Sequence, residues 1–336
     1  MKKLLTFLLL STTIAASCVA VLNHNNNDSN RINKNNEVKN ADNTWLEEVQ
    51  APGEYDYSFA VIGDIQNLSF KYPSEVATVY NYVVDNIESQ KIEHAFSLGD
   101  ITEGSSEKEW INAQKAISVL DGKIDYSMVR GNHDGKEQYL KYFGNTSGYA
   151  NQYKASYLSS LNTVVEFSAG NLDYLAVNLD YLPNDDILSW ANSVVEAHPY
   201  HNVIVTTHAY INDDGSKYVP TSGNGGTELW EKFIKKHANI TMVICGHIDD
   251  ENLEAIKTTG ENGNVVTELL IDPQNTDLMF DGGVGLVAML YFSNDGKNVE
   301  LRYYSTIRKQ YYKANNQFSF EVNTISRKDS TSNQLP

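Results

Sequence analysis

The sequence predicts an α/β protein in which a partly parallel sheet is covered by helices and a second sheet packs on the first. Three observations carry this expectation. Short apolar runs alternate with amphipathic helical stretches from residue 57 to about 250. Beyond that point the pattern changes to strands without helices. The apolar runs also end repeatedly in a glycine beside a polar side chain suited to hydrogen bonding or metal ligation.

The elements follow in order. YSFAVIGD (57–64) is an apolar run too short for a helix, hence a buried strand, and Val76, Val79, Val83 and Ile87 then recur at helical spacing. HAFSLGD (94–100) repeats the strand pattern, and Trp110, Ala113, Ile117 and Leu120 give the next helix its apolar face. IDYSMVRGNHD (124–134) is a third strand running into a polar turn. TVVEFSAGNLDYLAVNLD (163–180) divides at Ala-Gly-Asn into two strands. DDILSWANSVVEAH (185–198) is a helix whose acidic first turn suits the helix dipole. NVIVTTHAY (202–210) is a strand, TELWEKFIKKH (227–237) a helix and ITMVICGHIDD (240–250) a strand. Strands near 264–272, 284–293 and 298–305 follow, with NDG (294–296) marking a hairpin turn, and their concentration at the C-terminal end suggests that they build the second sheet. No composition break interrupts residues 51–323, which are read as one domain without internal repeats.

The flanks differ in composition. MKKLLTFLLLSTTIAASC (1–18) has two lysines, an apolar run and small residues, the pattern of an export signal. Its end resembles a lipobox in which Cys18 is lipidated, although Ala15 stands where leucine is favoured. The expectation is an exported lipoprotein that meets the membrane only through its N-terminal lipid anchor, the alternative being a secreted protein. Residues 19–50 are asparagine-rich and predict a disordered tether, and 324–336 a flexible tail. With Cys18 lipidated, Cys245 is left alone in an apolar strand and no disulfide can form.

The composition, 41% hydrophobic and 21% charged, is that of a folded protein. A net charge of -17 repels DNA and RNA backbones, so no nucleic-acid polymer is expected as a partner. Small phosphorylated substrates stay open, because bound cations reverse the field locally.

The chemistry lies at the strand ends, where open α/β sheets place their ligands. Asp64 and Gln66 follow the first strand, Asp100 the second, and Asn132 and His133 the third. His208 ends a later strand, and His247 and Asp249 the next. One glycine-aspartate pair alone would mean little, since such pairs also make caps and turns. His94 reads as structural; His198, His201 and His237 lie at helix ends or turns, and His24 in the tether. Arg130 reads as half of a structural salt bridge, the other role open to it being an anchor for a phosphate oxygen.

The ordered series D-x-(H/Q), GD, GNH, H and GH-x-(H) resembles the calcineurin-like metallophosphoesterase superfamily, and ELWEKFIKKHANITMVICGH resembles its bacterial secreted members. The resemblance implies a four-layer α/β/β/α sandwich of two mixed sheets flanked by helices. It implies two metal ions bridged by Asp100, the first held also by Asp64, Gln66 and Asp249, the second by Asn132, His208 and His247. Asp250 is the alternative to Asp249. His133 would stay off the metals as general acid, oriented by Glu103. Elementary chemistry agrees. Phosphate ester hydrolysis needs a nucleophile at neutral pH and positive charge on the developing oxyanion, and a metal pair roughly 3.5–4 Å apart supplies both.

This sequence departs from the family pattern at two places, both at the first metal: Gln66 and Asp249 stand where many relatives have histidine. Oxygen donors favour hard ions, so the first ion is expected to be manganese, iron(III), magnesium or calcium, and the second iron, manganese or zinc. The loops 144–160 and 212–226 are candidates for pocket walls around a small phosphorylated substrate. The function expected is phosphomonoester or phosphodiester hydrolysis. The alternative is a surface binding lipoprotein that keeps the fold with little or no turnover.

Overall fold

The computed structural model describes residues 30–32, 44–249, 252–272, 274 and 284–325. The signal segment, Cys18, Asp250, most of the expected tether and nearly all of the expected tail lie outside the described residues. The described strands run β1 (Trp45–Leu46), β2 (Tyr57–Ile62), β3 (Ile92–Ser97), β4 (Asp125–Met128), β5 (Ala155–Tyr157), β6 (Asn162–Ala169), β7 (Leu172–Asn178) and β8 (Asn202–Thr206). They continue with β9 (Ile240–Cys245), β10 (Glu254–Thr259), β11 (Val265–Leu270), β12 (Leu286–Phe292), β13 (Asn298–Ser305), β14 (Gln310–Tyr312) and β15 (Phe318–Glu321). The helices are α1 (Gln66–Lys71), α2 (Pro73–Asp85), α3 (Glu107–Ile117), α4 (Lys136–Phe143), α5 (Asp185–Ala197) and α6 (Gly226–Lys232).

Two mixed sheets result. The first has the order β1-β14-β13-β12-β2-β3-β4, with β15 beside β13; the second has the order β10-β11-β9-β8-β7-β6-β5. β2, β3 and β4 run parallel, as do β7, β8, β9 and β11, while β12 joins β2 antiparallel. Alternation along each strand explains the layering. Tyr57, Phe59 and Val61 of β2 face a core between the sheets, where they meet Phe96, Phe167, Ile204 and Ile244. Ala60 and Ile62 face the other way, onto Val76, Val79 and Val83 of α2 and Trp110 of α3. The outer face of the second sheet packs Val177, Val205 and Val243 against Leu188 and Val195 of α5 and Leu229 of α6. The four-layer α/β/β/α sandwich is thus the observed fold, and its middle strands are buried on both faces.

Of the C-terminal strands expected to build the second sheet, the one near 264–272 (β11) lies in it and those near 284–293 and 298–305 (β12 and β13) do not. β12, β13, β14 and β15 complete the first sheet, and the middle of the chain builds the second. The reason lies in β12, whose seven residues LVAMLYF are all buried. Ala288, Leu290 and Phe292 fill the inter-sheet core while Val287, Met289 and Tyr291 meet the helices, which only a central position beside β2 allows. Parts of the expected tether also join the fold. Arg31 bridges Ile256 of β10, and Trp45 pairs with Tyr312 of β14, because isolated apolar residues among the asparagines find apolar surface. At the other end, Ile325 exchanges backbone hydrogen bonds of 2.8 and 2.9 Å with the Asn202 amide.

His94, expected to be structural, is fully buried in β3, 2.9 Å from the Ser127 hydroxyl and stacked on Phe167. Burial pushes its pKa down to about 3, so the folded protein holds it neutral. An unfolded histidine takes up a proton below about pH 6.5. Stability is therefore undiminished above pH ~6.5 and falls as the pH drops from there toward 3, by up to about 1.4 kcal/mol per unit for one proton. His94→Gln keeps an amide for Ser127 and should flatten this slope in urea titrations between pH 6.5 and 4; parallel slopes for the two proteins would exclude His94 as the cause.

Candidate metal centre

The carboxyl ends of β2, β3, β8 and β9, two from each sheet, meet at one place. Asp64, just past β2, accepts a hydrogen bond at Oδ2 from the His247 backbone N–H at 3.1 Å. Its Oδ1 lies 3.7 Å from His208 Nδ1. Asp100, just past β3, accepts at Oδ1 from the His133 backbone N–H at 2.8 Å. Its Oδ2 lies 3.2 Å from His208 Nε2 and 3.5 Å from the Gln66 amide nitrogen. Asn132 Oδ1 is 2.9 Å from His208 Nε2. Asp100, His208 and His247 each offer a ligand atom within 4.8 Å of the others. Asp249 is exposed, and its charge acts on Asp272.

Close approach of backbone makes this convergence possible. A Cβ on Gly131 would lie 2.0 Å from Asp100 Oδ1, and one on Gly246 would lie 2.3 Å from Asp64 Oδ1. Asp100 and His247 themselves occupy left-handed backbone, at φ of 43° and 75°. Such conformations cost of order 1–3 kcal/mol each and persist where the surroundings over-determine them. Here the Asp134 carboxylate does so, accepting from the backbone of Ile101, Thr102 and Gly131 at 3.0–3.1 Å and from the Thr102 hydroxyl at 2.9 Å. Arg130 is bound to Asp180 at 2.7 Å and to the carbonyls of Gly131 and Asp134, so it braces the GNHD turn.

The donors fit cations. His208 Nδ1 donates to the Leu98 carbonyl at 2.9 Å, which turns Nε2 toward two oxygens, those of Asn132 and Asp100. That contact calls for a positive charge, supplied by a metal ion or by the proton that Asp100, outweighing burial, favours on His208. Asp64 Oδ1 and Gln66 Oε1 are buried without a hydrogen-bond partner in the same region. Burial raises the Asp64 pKa well above the ordinary carboxylate range, and the charges of Asp272 and Asp100 add to it. Burial also lowers His247 to about 4, keeping it neutral and able to ligate.

His133 stands apart, about one-third exposed, its Nδ1 2.9 Å from the Glu103 carbonyl and 3.3 Å from the Glu103 carboxylate. Burial pulls its pKa down. The Glu103 carbonyl and the charges of Asp100, Glu103 and Asp134 outweigh that and raise it above the ordinary histidine value. Tyr218, from the loop 212–226, meets the His247 ring edge-on at 4.9 Å, and Tyr181 lies 5.6 Å from His247 and 5.7 Å from His208. That loop is pinned by the ion pair of half-buried Lys217 with buried Glu268, whose other oxygen accepts from Tyr210 at 2.9 Å.

One site residue escaped the sequence reading. Asp272 follows β11, is 1% exposed, and lies against the Asp64 side chain. Burial pushes it up to about 7. ELLID carries the same apolar-run-to-aspartate signal as the other strand ends, without the adjacent glycine.

The chain is similar to known proteins over most of its length. The family model described as Calcineurin-like phosphoesterase matches residues 57–249. "Uncharacterized protein YvnB" of Bacillus subtilis (strain 168) is 25% identical over 312 residues, covering 87% of this chain. The chain spans only 23% of that relative's length. The purple acid phosphatase PPD1 from yellow lupin (Lupinus luteus) seeds shares the fold at a TM-score of 0.51 and 14% identity, over 81% of this chain and 55% of that one. GAP50 of Plasmodium, described as the anchor in the inner membrane complex, aligns at a TM-score of 0.49 and 17% identity, over 82% of this chain and 91% of that one.

Gly131→Ala should force Asp100 aside, destabilising the fold by about 1–3 kcal/mol as overpacking does. It should also weaken manganese binding at least tenfold by isothermal titration. Wild-type stability and affinity in this variant would mean that the close approach does not position Asp100.

Proposed function

Because the chain belongs to the calcineurin-like phosphoesterase family, we propose that it hydrolyses small phosphate esters at a two-metal centre outside the cytoplasm. The observation that carries this reading is the His208 imidazole, locked by Leu98 with Nε2 toward the Asp100 and Asn132 oxygens and with His247 alongside. Asp64, Gln66, Asp100 and Asp249 would hold one ion, and Asp100, Asn132, His208 and His247 the other. Bound cations supply Lewis acidity, lowering the pKa of water and offsetting charge on phosphoryl oxygens.

The remaining work falls to the chain. His133 donates at Nδ1 to Glu103, so its Nε2 is free to carry the proton that the leaving oxygen needs. Its raised pKa favours the protonated ring. Glu103 fixes the ring and favours the charged imidazolium. Tyr181 and Tyr218 form an aromatic wall on the His208–His247 side, suited to a flat or sugar-like leaving group. A net charge of -17 supports small substrates over nucleic-acid polymers. The first 18 residues support export and anchoring through a lipidated Cys18, which mass spectrometry of the mature N-terminus would establish.

Hydrolysis of an aryl phosphate and an aryl phosphodiester with added manganese tests the activity. His133→Ala should retain its metals and lose roughly 10²–10⁴-fold in turnover. Unchanged rates would remove His133 from the reaction, and metal-dependent ligand binding without hydrolysis of either ester would favour a binding protein.

A further inference from the structure

Asp272 and Asp64 bring two carboxyl groups into contact inside the protein, 1% and 5% exposed. Among the described residues no lysine or arginine forms an ion pair with either, and the nearest basic group to Asp64, His208 at 3.7 Å, already donates to Leu98. Burying like groups together without a compensating charge is unfavourable by several kcal/mol per ion. Asp134 shows what a buried structural aspartate looks like in the same molecule, with donors at 2.9–3.1 Å from three backbone N–H groups and a hydroxyl. For Asp272, among the described residues its donors are those of Gln274 at longer range, 3.4 Å from the backbone N–H and 3.3 Å from the side-chain amide.

Its placement is not accidental to a loop. β11 runs parallel to β9, with Leu270 opposite Cys245 and the Ile271 N–H donating to the Cys245 carbonyl at 2.9 Å. The ladder that delivers Gly246 and His247 therefore delivers Asp272 to the same edge. The buried Asp64 Oδ1 and Gln66 Oε1, both without partners, belong to this corner of the site. The charge of Asp249 also acts on Asp272.

We propose that Asp272 is a further ligand of the first metal, joining Asp64, Gln66, Asp100 and Asp249 in a donor set made only of oxygen. The inference rests on the two-metal reading of the site. A cation held by Asp64 and Asp272 would offset the repulsion between their charges. A shell so rich in carboxylate selects a hard ion, manganese or iron(III), over zinc. The histidine-bearing second position keeps the mixed character that zinc, iron or manganese accepts.

Metal content is the direct readout. Purified wild type and Asp272→Asn are stripped with chelator, titrated with manganese in a calorimeter, and then challenged with equimolar zinc before plasma mass spectrometry. Wild type should bind two equivalents and keep one manganese against zinc. Asp272→Asn should keep the second equivalent and bind the first at least 100-fold more weakly, with a smaller manganese-induced rise in Tm. A smaller loss than 100-fold overturns ligation and leaves Asp272 only a positioning residue for Asp64. Asp272→Ser, which shortens the side chain, is judged by the same criterion should the asparagine variant fold poorly. A wild type that binds both ions yet hydrolyses neither aryl ester would end the catalytic reading and leave the ligand assignment standing.

Discussion

Asp100 can sit where it does only because Gly131 has no side chain. A single added carbon would lie 2.0 Å from its carboxylate oxygen and 2.3 Å from its backbone nitrogen. That approach aims one oxygen at the His133 N–H and the other at His208 and Gln66. It brings the ends of β3 and β4 into contact across the GDIT and GNHD turns, and Asp134 and Arg130 then brace those turns with hydrogen bonds to backbone. The left-handed backbone of Asp100 is the conformational cost of this arrangement, offset by the surrounding hydrogen bonds.

The same logic runs across the inter-sheet core. Phe59, Phe96, Phe167 and Tyr174 lock the two sheets face to face through edge-on and stacked ring contacts. The sheets cannot slide without breaking this aromatic packing. The acids from the first sheet, Asp64 and Asp100, are thereby held in register with the histidines from the second, His208 and His247. On the rim, the Lys217–Glu268 pair gives the loop that carries Tyr218 a fixed root. The pocket wall is therefore referenced to the β11 strand that positions Asp272.

Much of this was legible in the sequence. Strand-end aspartates and histidines announced themselves because each follows an apolar run and most have a glycine beside them, and the structure draws Asp64, Gln66, Asp100, Asn132, His208 and His247 together. Sheet membership was harder to see. β12 looks like any apolar strand, and its pairing with β2, more than 220 residues earlier, is what buries it on both faces. β10, EAIKTT, has too weak an alternation to be recognised and owes its existence to pairing with β11. Asp272 was missed because it lacks the adjacent glycine that marked the others, its room being provided by the parallel register with β9. Trp45 and Ile32 were submerged in a polar segment, where composition averages hide single anchoring residues.

The hydrogen bond from the His247 backbone to Asp64 spans 183 residues of chain. Its consequence concerns timing. A ribosome delivers Asp64 long before the strand that must meet it, so no early fragment possesses the cage, and each sheet alone carries only half of its walls. Cation capture at the proposed centre would therefore work as a late inspection of the assembled topology. It adds its free energy only to chains whose two halves have docked in the correct register, and it penalises none of the partial forms that precede them.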